Sequence, residues 1–360
     1  MIKNPLILAI DTSCDDTSVA LTLKNQVISN FIASQTQIHQ PFGGVFPTLA
    51  KQAHQKNLPV LINAILKKNH LSFNQIQALA ITYGPGLAPA LEVGLNYIKT
   101  IHQEFPHLKI LAVNHLQAHL LAVLASNNTD KSQEKLINLK NLLPALGLIV
   151  SGGHSCFVKI QNPTQFYLLG ETLDDACGEC LDKVGRLLSL GYPAGHIIEN
   201  LAKKGNAKKF SFPLPMTNQK NFNLSFSGLK TFSKNLINQL EKENKLDQKT
   251  ITDFCASFQH SCFNHLIYKL KKILLTQQFQ SLWLGGGVAS NIYLRKLLRS
   301  TLKTYKQKKI TNIKLLTPIN KKLCTDNAAM IGVASYFLWQ IAKFSNIEKL
   351  DRNPCLKIEK

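Results

Sequence analysis

The pattern that most constrains the fold is a short apolar strand, a turn of small polar residues and a returning strand, and it occurs twice. In the first copy, residues 6–10 lead into Asp11, Thr12 and Ser13, and residues 18–23 return. In the second copy, residues 145–150 lead into the turn 151–155, and residues 156–160 return. Apolar runs of this length between polar turns are typical of buried strands. The repetition predicts a duplicated α/β lobe, and 360 residues suit about two domains.

A third turn of small residues, Gly285, Gly286 and Gly287, follows a predicted strand at 282–284 and precedes a helix predicted over 290–298. The N–H groups and the dipole at the start of a helix favour an anion. Glycine also occurs in ordinary tight turns, so each turn alone is weak evidence. Three such turns at strand ends predict a nucleotide cleft between two lobes. Further helices are predicted over 254–275 and 326–341, and irregular segments over 126–141 and 203–222.

Two histidines four residues apart, His115 and His119, lie in an apolar, helix-like context. This spacing puts both imidazoles on one helix face, as ligands of one divalent metal would be. A zinc peptidase would need glutamate directly after the first histidine, where this chain has Leu116. Two histidines alone do not fill the coordination shell of a metal ion, so a carboxylate or a bound substrate would have to supply the remaining ligands. Asp326 is a candidate, although its position before a predicted helix, taken alone, favours the role of an N-cap.

The chain is strongly basic, with 42 Lys+Arg against 21 Asp+Glu and a formal net charge of +21. This excess favours a polyanionic partner such as nucleic acid. Only four of the cations are arginines, so a lysine-rich codon usage is an equally good explanation. The lysine clusters suit contacts to a phosphate backbone better than base readout. They comprise Lys203, Lys204, Lys208 and Lys209; Lys306, Lys308 and Lys309; and Lys321 and Lys322.

Several features favour a cytoplasmic protein that does not enter a membrane. No apolar run reaches the roughly 18 residues of a membrane span, and the opening residues lack the apolar segment of a signal peptide. The eight cysteines are scattered, which suits reduced thiols. Cys177 and Cys180 form a CxxC pair that we interpret as core thiols on a helix.

Taken in order, these motifs resemble the tRNA N6-adenosine threonylcarbamoyltransferases of the TsaD type, formerly described as O-sialoglycoprotein endopeptidases. The resemblance covers nearly the whole chain, and the ordered series is far more specific than any single motif. The motifs are Asp11-Thr12-Ser13-Cys14-Asp15-Asp16-Thr17-Ser18; His39, Gly43-Gly44-Val45-Phe46-Pro47 and His54; Gly84-Pro85-Gly86; His115 and His119; Val150-Ser151-Gly152-Gly153-His154; Asp174-Asp175-Ala176 and Asp182-Lys183; Ser225-Phe226-Ser227-Gly228-Leu229-Lys230; Gly286-Gly287-Val288 with Asn291; and Cys324-Thr325-Asp326-Asn327.

The resemblance implies a duplicated fold of the actin/Hsp70/sugar-kinase (ASKHA) class with a nucleotide cleft between the lobes. The expected lobes are 1–125, closed by a C-terminal helical segment from about 326 to 360, and 142–325. The resemblance also implies one divalent metal, Fe²⁺ rather than Zn²⁺, held by His115, His119 and Asp326. The implied substrate-binding residues are Ile149, Val150, Ser151, Gly152, Gly153, Asp182, Gly195 and Asn291. Asp15 would be the catalytic carboxylate, either accepting a proton from the acceptor amine or ordering the donor.

The implied reaction moves a threonylcarbamoyl group from threonylcarbamoyl-AMP to N6 of adenosine 37 in tRNAs that read codons beginning with adenine, forming t6A and releasing AMP. The implied partners are the tRNA anticodon loop, an inert TsaB-type paralogue and a TsaE-type P-loop ATPase. A sugar-kinase-like phosphotransferase would leave the histidine pair without a role. A scaffolding paralogue is expected to have lost the metal residues that this chain keeps.

The chain departs from the family pattern at two places. Asp11 and Asp16 stand where many relatives have glutamate, which shortens each side chain by one methylene. Ala194-Gly195-His196 replaces a turn of the Gly-Gly-Pro kind, which adds a Cβ near the expected nucleotide.

Overall fold

The computed structural model describes residues 4–127 and 139–358, so most of the segment 126–141, predicted to cross between lobes, lies outside the described residues. The chain divides into two compact units. The first comprises Met1–Asn141, Gln161–Tyr167 and Thr317–Lys360, and the second comprises Leu142–Ile160 and Leu168–Leu316. The lobe boundaries expected from the sequence stay predictions.

The first unit is built on a six-stranded mixed sheet with the order β5-β4-β1-β2-β3-β6. Strand β1 pairs antiparallel with β2 and parallel with β4. The strands are β1 (Leu6–Asp11), β2 (Asp16–Leu23), β3 (Gln26–Ser34), β4 (Ala78–Gly84), β5 (Lys109–Asn114) and β6 (Ser126–Asn127). The helices are α1 (Thr36–His39), α2 (Pro47–Lys68), α3 (Ala88–Glu104), α4 (His115–Leu121) and, near the end of the chain, α10 (Ala328–Gln340).

The second unit carries most of a five-stranded mixed sheet with the order β11-β10-β7-β8-β9. Its strands are β7 (Ala145–Val150), β8 (Ser155–Asn162), β9 (Gln165–Glu171), β10 (Ser281–Gly285) and β11 (Lys314–Leu316). Its helices are α5 (Cys177–Leu187), α6 (Gly195–Ala202), α7 (Ser227–Lys242), α8 (Gln248–Thr276) and α9 (Ile292–Gln307).

The two sheets share one strand order. In each, a central strand pairs antiparallel with the next strand along the chain, and pairs parallel on its other side with a later strand: β2 and β4 flank β1, and β8 and β10 flank β7. On the parallel side, a further parallel strand pairs with the outer edge: β5 pairs with β4, and β11 pairs with β10. This correspondence confirms the duplicated α/β lobe predicted from the repeated pattern. It also confirms the predicted strands in 6–10, 18–23, 145–150, 156–160 and 282–284.

Close packing of α10 against the first sheet depends on a small residue. The helix is almost entirely buried and packs on β1 and β2. A Cβ on Gly332 would lie 2.5 Å from the side chain of Thr22, so only glycine allows this approach. The segment before this helix, which includes Asp326, is thereby fixed relative to the strand ends of the same unit.

The remaining expectations concern helices, loops and membranes. The predicted helices over 254–275 and 326–341 are confirmed as α8 and α10, and residues 203–222 are irregular as predicted. Within the described ranges, no helix combines the length and the apolar character needed to cross a membrane.

Candidate metal centre and nucleotide-binding turns

The histidine pair lies on α4, which begins directly after β5. Asn114 caps this helix, since its Oδ1 accepts hydrogen bonds from the N–H groups of Leu116 at 2.9 Å and Gln117 at 3.2 Å. The rings of His115 and His119 are buried, with centroids 4.6 Å apart and planes at 81°. The helical spacing therefore brings both imidazoles to one face, as predicted.

The carboxylate of Asp326 lies close to both imidazoles. Its Oδ1 lies 3.1 Å from His119 Nε2 and 3.4 Å from His115 Nε2. The N-cap interpretation of Asp326 is wrong, because Asn327 caps α10 by accepting a hydrogen bond from the N–H of Met330 at 3.0 Å. Since the neighbouring residue caps the helix, the Asp326 carboxylate is directed to the histidines.

Two polar side chains contact the other ring nitrogen of His115, and the sequence did not single them out for this role. Its Nδ1 lies 3.1 Å from Ser13 Oγ and 3.6 Å from Asp11 Oδ2. Asp11 also accepts a hydrogen bond from the N–H of Ser13 at 3.1 Å through its other oxygen. Metal-binding histidines are usually oriented by such a carboxylate or hydroxyl partner at the second nitrogen. The available signal was that Asp11 ends the buried strand β1 and that Ser13 lies in the turn that follows it.

The electrostatics of this cluster favour positive charge. Burial lowers the pKa of His115, but the carboxylates of Asp326 and Asp11 outweigh it and raise that pKa to about 10. Burial, and then the neighbouring His115, lower the pKa of His119. Burial of Asp326 would raise its pKa, yet the two imidazoles hold it well below its usual range. The buried carboxylate of Asp11 and the partly exposed carboxylate of Asp326 therefore stabilise a cation at the imidazoles.

These residues fit a divalent metal. One donor atom from each of His115, His119 and Asp326 can be chosen so that the three lie within 4.8 Å of one another. Two imidazole nitrogens and a carboxylate oxygen are donors that Zn²⁺ and Fe²⁺ both accept. Three protein donors leave coordination positions open, which is typical of a catalytic rather than a structural site.

Asp15 lies at the edge of the same cluster. Its carboxylate and the thiol of Cys14 approach the Asp326 carboxylate, and one donor atom from each of the three lies within 4.8 Å of the others. Burial, and then the charge of Asp326, raise the pKa of Asp15. Burial raises the pKa of the adjacent Asp16 to about 7. The structure thus brings Asp15 close to Asp326, one of the three predicted metal ligands.

The remaining predicted residues belong to the second unit, where two tight turns meet. The turn after β7 is closed by the N–H of Ser151, which donates to the carbonyl of His154 at 2.8 Å. A Cβ on Gly178 would lie 2.5 Å from the Ser151 carbonyl oxygen, and one on Gly286 would lie 2.4 Å from that of Val150. Gly286 also has a φ of +93°. The start of α5 and the 285–287 turn therefore pack directly on the end of β7 and on the turn formed by residues 151–154, which we call the Ser151 turn.

The predicted residues around this turn differ in exposure. Gly152 and Gly153 are exposed, and a Cβ on either would meet nothing within 4 Å. Ile149 and Val150 are wholly buried in the sheet, backbone included, so they support the turn from beneath. The exposed part of the turn is formed by backbone groups of small residues.

Asp182 and Gly195 contact each other. The Oδ1 of Asp182 accepts hydrogen bonds from the N–H groups of Ala194 at 2.7 Å and Gly195 at 3.2 Å, at the start of α6. Burial raises the pKa of Asp182, and these hydrogen bonds oppose the rise. The Cβ of Ala194, the departure noted in the sequence, faces Gly185 on α5, where a Cβ would lie only 2.1 Å away. The extra methyl is therefore accommodated by a glycine opposite.

Asn291 is the N-cap of α9. Its Oδ1 accepts a hydrogen bond from the N–H of Leu294 at 3.1 Å, and its Nδ2 donates to Gln259 Oε1 at 2.8 Å. The side chain is 5% exposed. The structure gives it a capping role in addition to the substrate contact that the sequence predicts.

Comparison with known proteins agrees with the fold and the motifs. The family profile described as "TsaD: tRNA N6-adenosine threonylcarbamoyltransferase" matches residues 26–333. A tRNA N6-adenosine threonylcarbamoyltransferase of Thermosipho africanus is 38% identical over 354 residues, which span 98% of this chain and 100% of that protein. One from a Wolbachia of Brugia malayi is 40% identical over 333 residues, spanning 91% of each chain.

Among solved structures, HypF of T. kodakarensis superimposes with a TM-score of 0.59 at 13% identity, covering 93% of this chain and 48% of that one. This likeness shows the fold alone, and with the shared strand order it confirms the predicted actin-like class. The family profile covers most of the chain, and the relatives match it almost from end to end. The chain belongs to the tRNA N6-adenosine threonylcarbamoyltransferase family.

Proposed function

We propose that the protein transfers a threonylcarbamoyl group from threonylcarbamoyl-AMP to N6 of adenosine 37 in tRNAs that read codons beginning with adenine. The products are t6A and AMP. The observation that carries this proposal is the convergence of His115, His119 and Asp326 beside Asp15, in a chain of this family. A phosphotransferase of similar fold has no use for this donor set.

The donor is a mixed anhydride, so its leaving group is already activated and no protein nucleophile is needed. The N6 amine forms a C–N bond to the carbamoyl carbon, the C–O bond to AMP breaks, and the amine loses a proton. Catalysis of such a step depends on orientation and on stabilisation of the developing charge. When bound, a divalent ion, which we propose is Fe²⁺, would supply Lewis acidity toward the carbonyl oxygen or the threonyl group.

Asp15 is proposed to hold the acceptor amine and to take its proton. Its carboxylate is partly buried beside Asp326, and burial raises its pKa, so it is a stronger base than an exposed aspartate. The turn that carries it is fixed, because the N–H of Gln35 donates to the Asp15 carbonyl at 3.0 Å. A fixed carboxylate can orient an amine without reorganising during the reaction.

The second unit is proposed to bind the adenylate through its turns. The backbone of Ser151, Gly152 and Gly153 would receive the phosphate and the adjoining groups, and the buried Ile149 and Val150 would hold this turn in place. Asp182, with Gly195 at the start of α6, would take the ribose hydroxyls, a common task for a carboxylate in nucleotide sites. Asn291 would add a contact from the start of α9.

The proposal includes partners and a location. The acceptor adenine must be unstacked, as bases in an anticodon loop are. The exposed lysines of the protein are suited to contact the phosphates of the tRNA backbone. We propose that a TsaB-type paralogue and a TsaE-type ATPase assist, and that the protein works in the cytoplasm on tRNA.

The decisive experiment is incubation of the protein with threonylcarbamoyl-AMP and unmodified tRNA, followed by nucleoside mass analysis. We expect t6A from the wild type and a loss of at least about 100-fold in His115→Ala, since even residues that only support a metal ligand are worth 10–100-fold. His107→Ala is the matched control, because this exposed histidine lies outside the cluster. Equal t6A formation by His115→Ala would refute the proposal, as would phosphate transfer from ATP to a sugar without t6A.

A further inference from the structure

Two buried histidines from one of the sequence motifs, His39 and His54, have no role in the reaction described so far. His39 ends α1 and His54 lies on α2, and both side chains are fully buried in the first unit. Gln35, which is also fully buried, contacts both rings. Buried polar groups cost free energy unless they are hydrogen-bonded, so the partners of these three side chains indicate what the motif does.

The partners of His39 determine where its ring hydrogen lies. The N–H of Phe46 donates to His39 Nδ1 at 3.3 Å, so this nitrogen carries the lone pair and the ring is neutral. The hydrogen is therefore on Nε2, which donates to Gln35 Oε1 at 3.1 Å. Because its oxygen faces His39, the Gln35 amide turns its nitrogen toward His54.

His54 continues this chain of hydrogen bonds to the turn between β1 and β2. Gln35 Nε2 lies 3.2 Å from His54 Nδ1, and Thr17 Oγ1 lies 2.8 Å from the same nitrogen. His54 Nε2 lies 3.0 Å from the Cys14 carbonyl, which can only accept, so Nε2 carries the hydrogen and Nδ1 the lone pair. Burial lowers the pKa of His54, which favours this neutral form.

The chain ends on the backbone that carries Asp15. The Cys14 carbonyl accepts from His54, and the next carbonyl, that of Asp15, accepts from the N–H of Gln35 at 3.0 Å. Two successive carbonyls of the turn are therefore held by two members of the same buried chain. The Cys14 carbonyl belongs to the peptide group that leads into Asp15, so a ring that holds it fixes the backbone from which the Asp15 carboxylate projects.

We propose that His54, oriented by Gln35 and His39, is a positioning residue for the Asp15 carboxylate. It acts through the backbone of the turn, by keeping the carboxylate in the direction that suits the acceptor amine. This inference rests on the proposed function, in which Asp15 holds that amine. A displacement of about 1 Å in an active site can lower a rate about 100-fold, so loss of the His54 hydrogen bond should appear in kcat.

The first test compares two amide side chains at position 54 in steady-state t6A formation. Glutamine puts its amide nitrogen near the place of imidazole Nε2 and can still donate to the Cys14 carbonyl, whereas asparagine reaches only the place of Nδ1. We expect His54→Asn to lower kcat about 100-fold with little change in KM for tRNA, and His54→Gln to keep most of the activity. Ile62→Ala is the matched control for lost stability, because Ile62 is buried on the same helix, and its kcat should be unchanged below its unfolding temperature.

A double-mutant comparison shows whether His54 acts through Asp15. If it does, His54→Asn should lower kcat little further in a protein that already carries Asp15→Asn. An equal fall of kcat in both backgrounds would give His54 a general structural role and overturn the inference. A wild type that forms no t6A would overturn the proposed function, whereas an active wild type with an equally active His54→Asn would overturn this inference alone.

Nitrogen-15 NMR of the imidazole rings tests the chain of hydrogen bonds independently of the reaction. His39 and His54 should both show the Nε2–H tautomer at neutral pH, with their signals assigned from the spectra of His39→Gln and His54→Gln. An Nδ1–H tautomer or an imidazolium at either ring would reverse or break the chain and overturn the inference.

Discussion

At the scale of single residues, His265 shows how a buried polar group links stability to pH. The side chain is fully buried on α8, and its Nε2 accepts a hydrogen bond from the N–H of Ser225 at 3.2 Å. Burial, and then the charge of Lys269, lower its pKa to about 4. The ring is therefore neutral in the folded protein at neutral pH, and protonation would break the bond to Ser225.

We predict that His265 destabilises the protein in mild acid. The pKa is about 6.5 in the unfolded chain and about 4 in the folded one, so the unfolded chain binds the extra proton first. The stability associated with the neutral ring is fully present above pH 6.5 and is lost as the pH falls toward 4. At pH 5 the loss is about 2 kcal/mol.

Urea unfolding at pH 7.5 and pH 5 measures this effect. His265→Gln should lose about 2 kcal/mol less than the wild type between the two pH values. The exposed His107→Gln should behave like the wild type. Equal losses in the wild type and in His265→Gln would contradict the prediction.

The metal residues show what a residue pattern can and cannot reveal. His115 and His119 were predicted from their spacing, because a helix imposes a fixed period. Asp326 is more than two hundred positions away, so local pattern alone gave it the wrong role of an N-cap. Asp326 was a candidate carboxylate for the histidines, but it was the family resemblance that made it the predicted third ligand. Asp11 and Ser13 orient His115 through tertiary contacts that have no local signal.

At the scale of elements, the start of α5 determines the position of the Ser151 turn. The N–H of Gly178 donates to the Ser151 carbonyl at 3.1 Å, and a Cβ there would clash with that oxygen and with Gly152. The obstacle is backbone, so it cannot rotate away. We predict that Gly178→Ala shifts the turn and weakens adenylate binding at least about tenfold, which corresponds to about 1.4 kcal/mol.

Isothermal titration with AMP or a non-hydrolysable analogue of the donor measures this loss. Gly228→Ala is the matched control, because this glycine also lies near the start of a helix, α7, and a Cβ there would meet nothing within 4 Å. Unchanged affinity in Gly178→Ala would show that the Ser151 turn does not hold the nucleotide.

The elements differ in how clearly their sequences indicate them. Strands β1, β2, β7, β8 and β10 are mostly buried, and polar or glycine turns delimit them, so their apolar runs were recognised. Strand β3 was not predicted, since most of its residues are only partly buried and its pattern is mixed. Strand β11 has only three residues, too few for a periodic signal.

At the scale of the whole molecule, the repeated strand pattern was enough to predict duplication, whereas the sheet orders were not predictable. Each order depends on the later parallel strands, β4 and β5 or β10 and β11, which join far from the first pair along the chain. A second global property, the net charge of +21, has two explanations that composition cannot separate. It either serves binding of a polyanion or reflects codon usage.

Salt dependence of tRNA binding separates the two explanations. Each lysine–phosphate contact releases condensed counterions, so the logarithm of the binding constant should fall by about 0.7–0.9 per contact for each tenfold rise in salt. The lysines at 203, 204, 208 and 209, at 306, 308 and 309, and at 321 and 322 are all exposed. In filter-binding measurements we predict that the tRNA binding constant falls steeply as salt rises. The fall should be shallower when the lysines of a cluster that contacts tRNA are changed to glutamine. The same substitutions in a lysine cluster that does not contact tRNA should leave the salt dependence of binding unchanged, and such a variant serves as the control. A flat response of the wild type would assign the charge excess to codon usage, because a phosphate-bound lysine cannot avoid competing with salt.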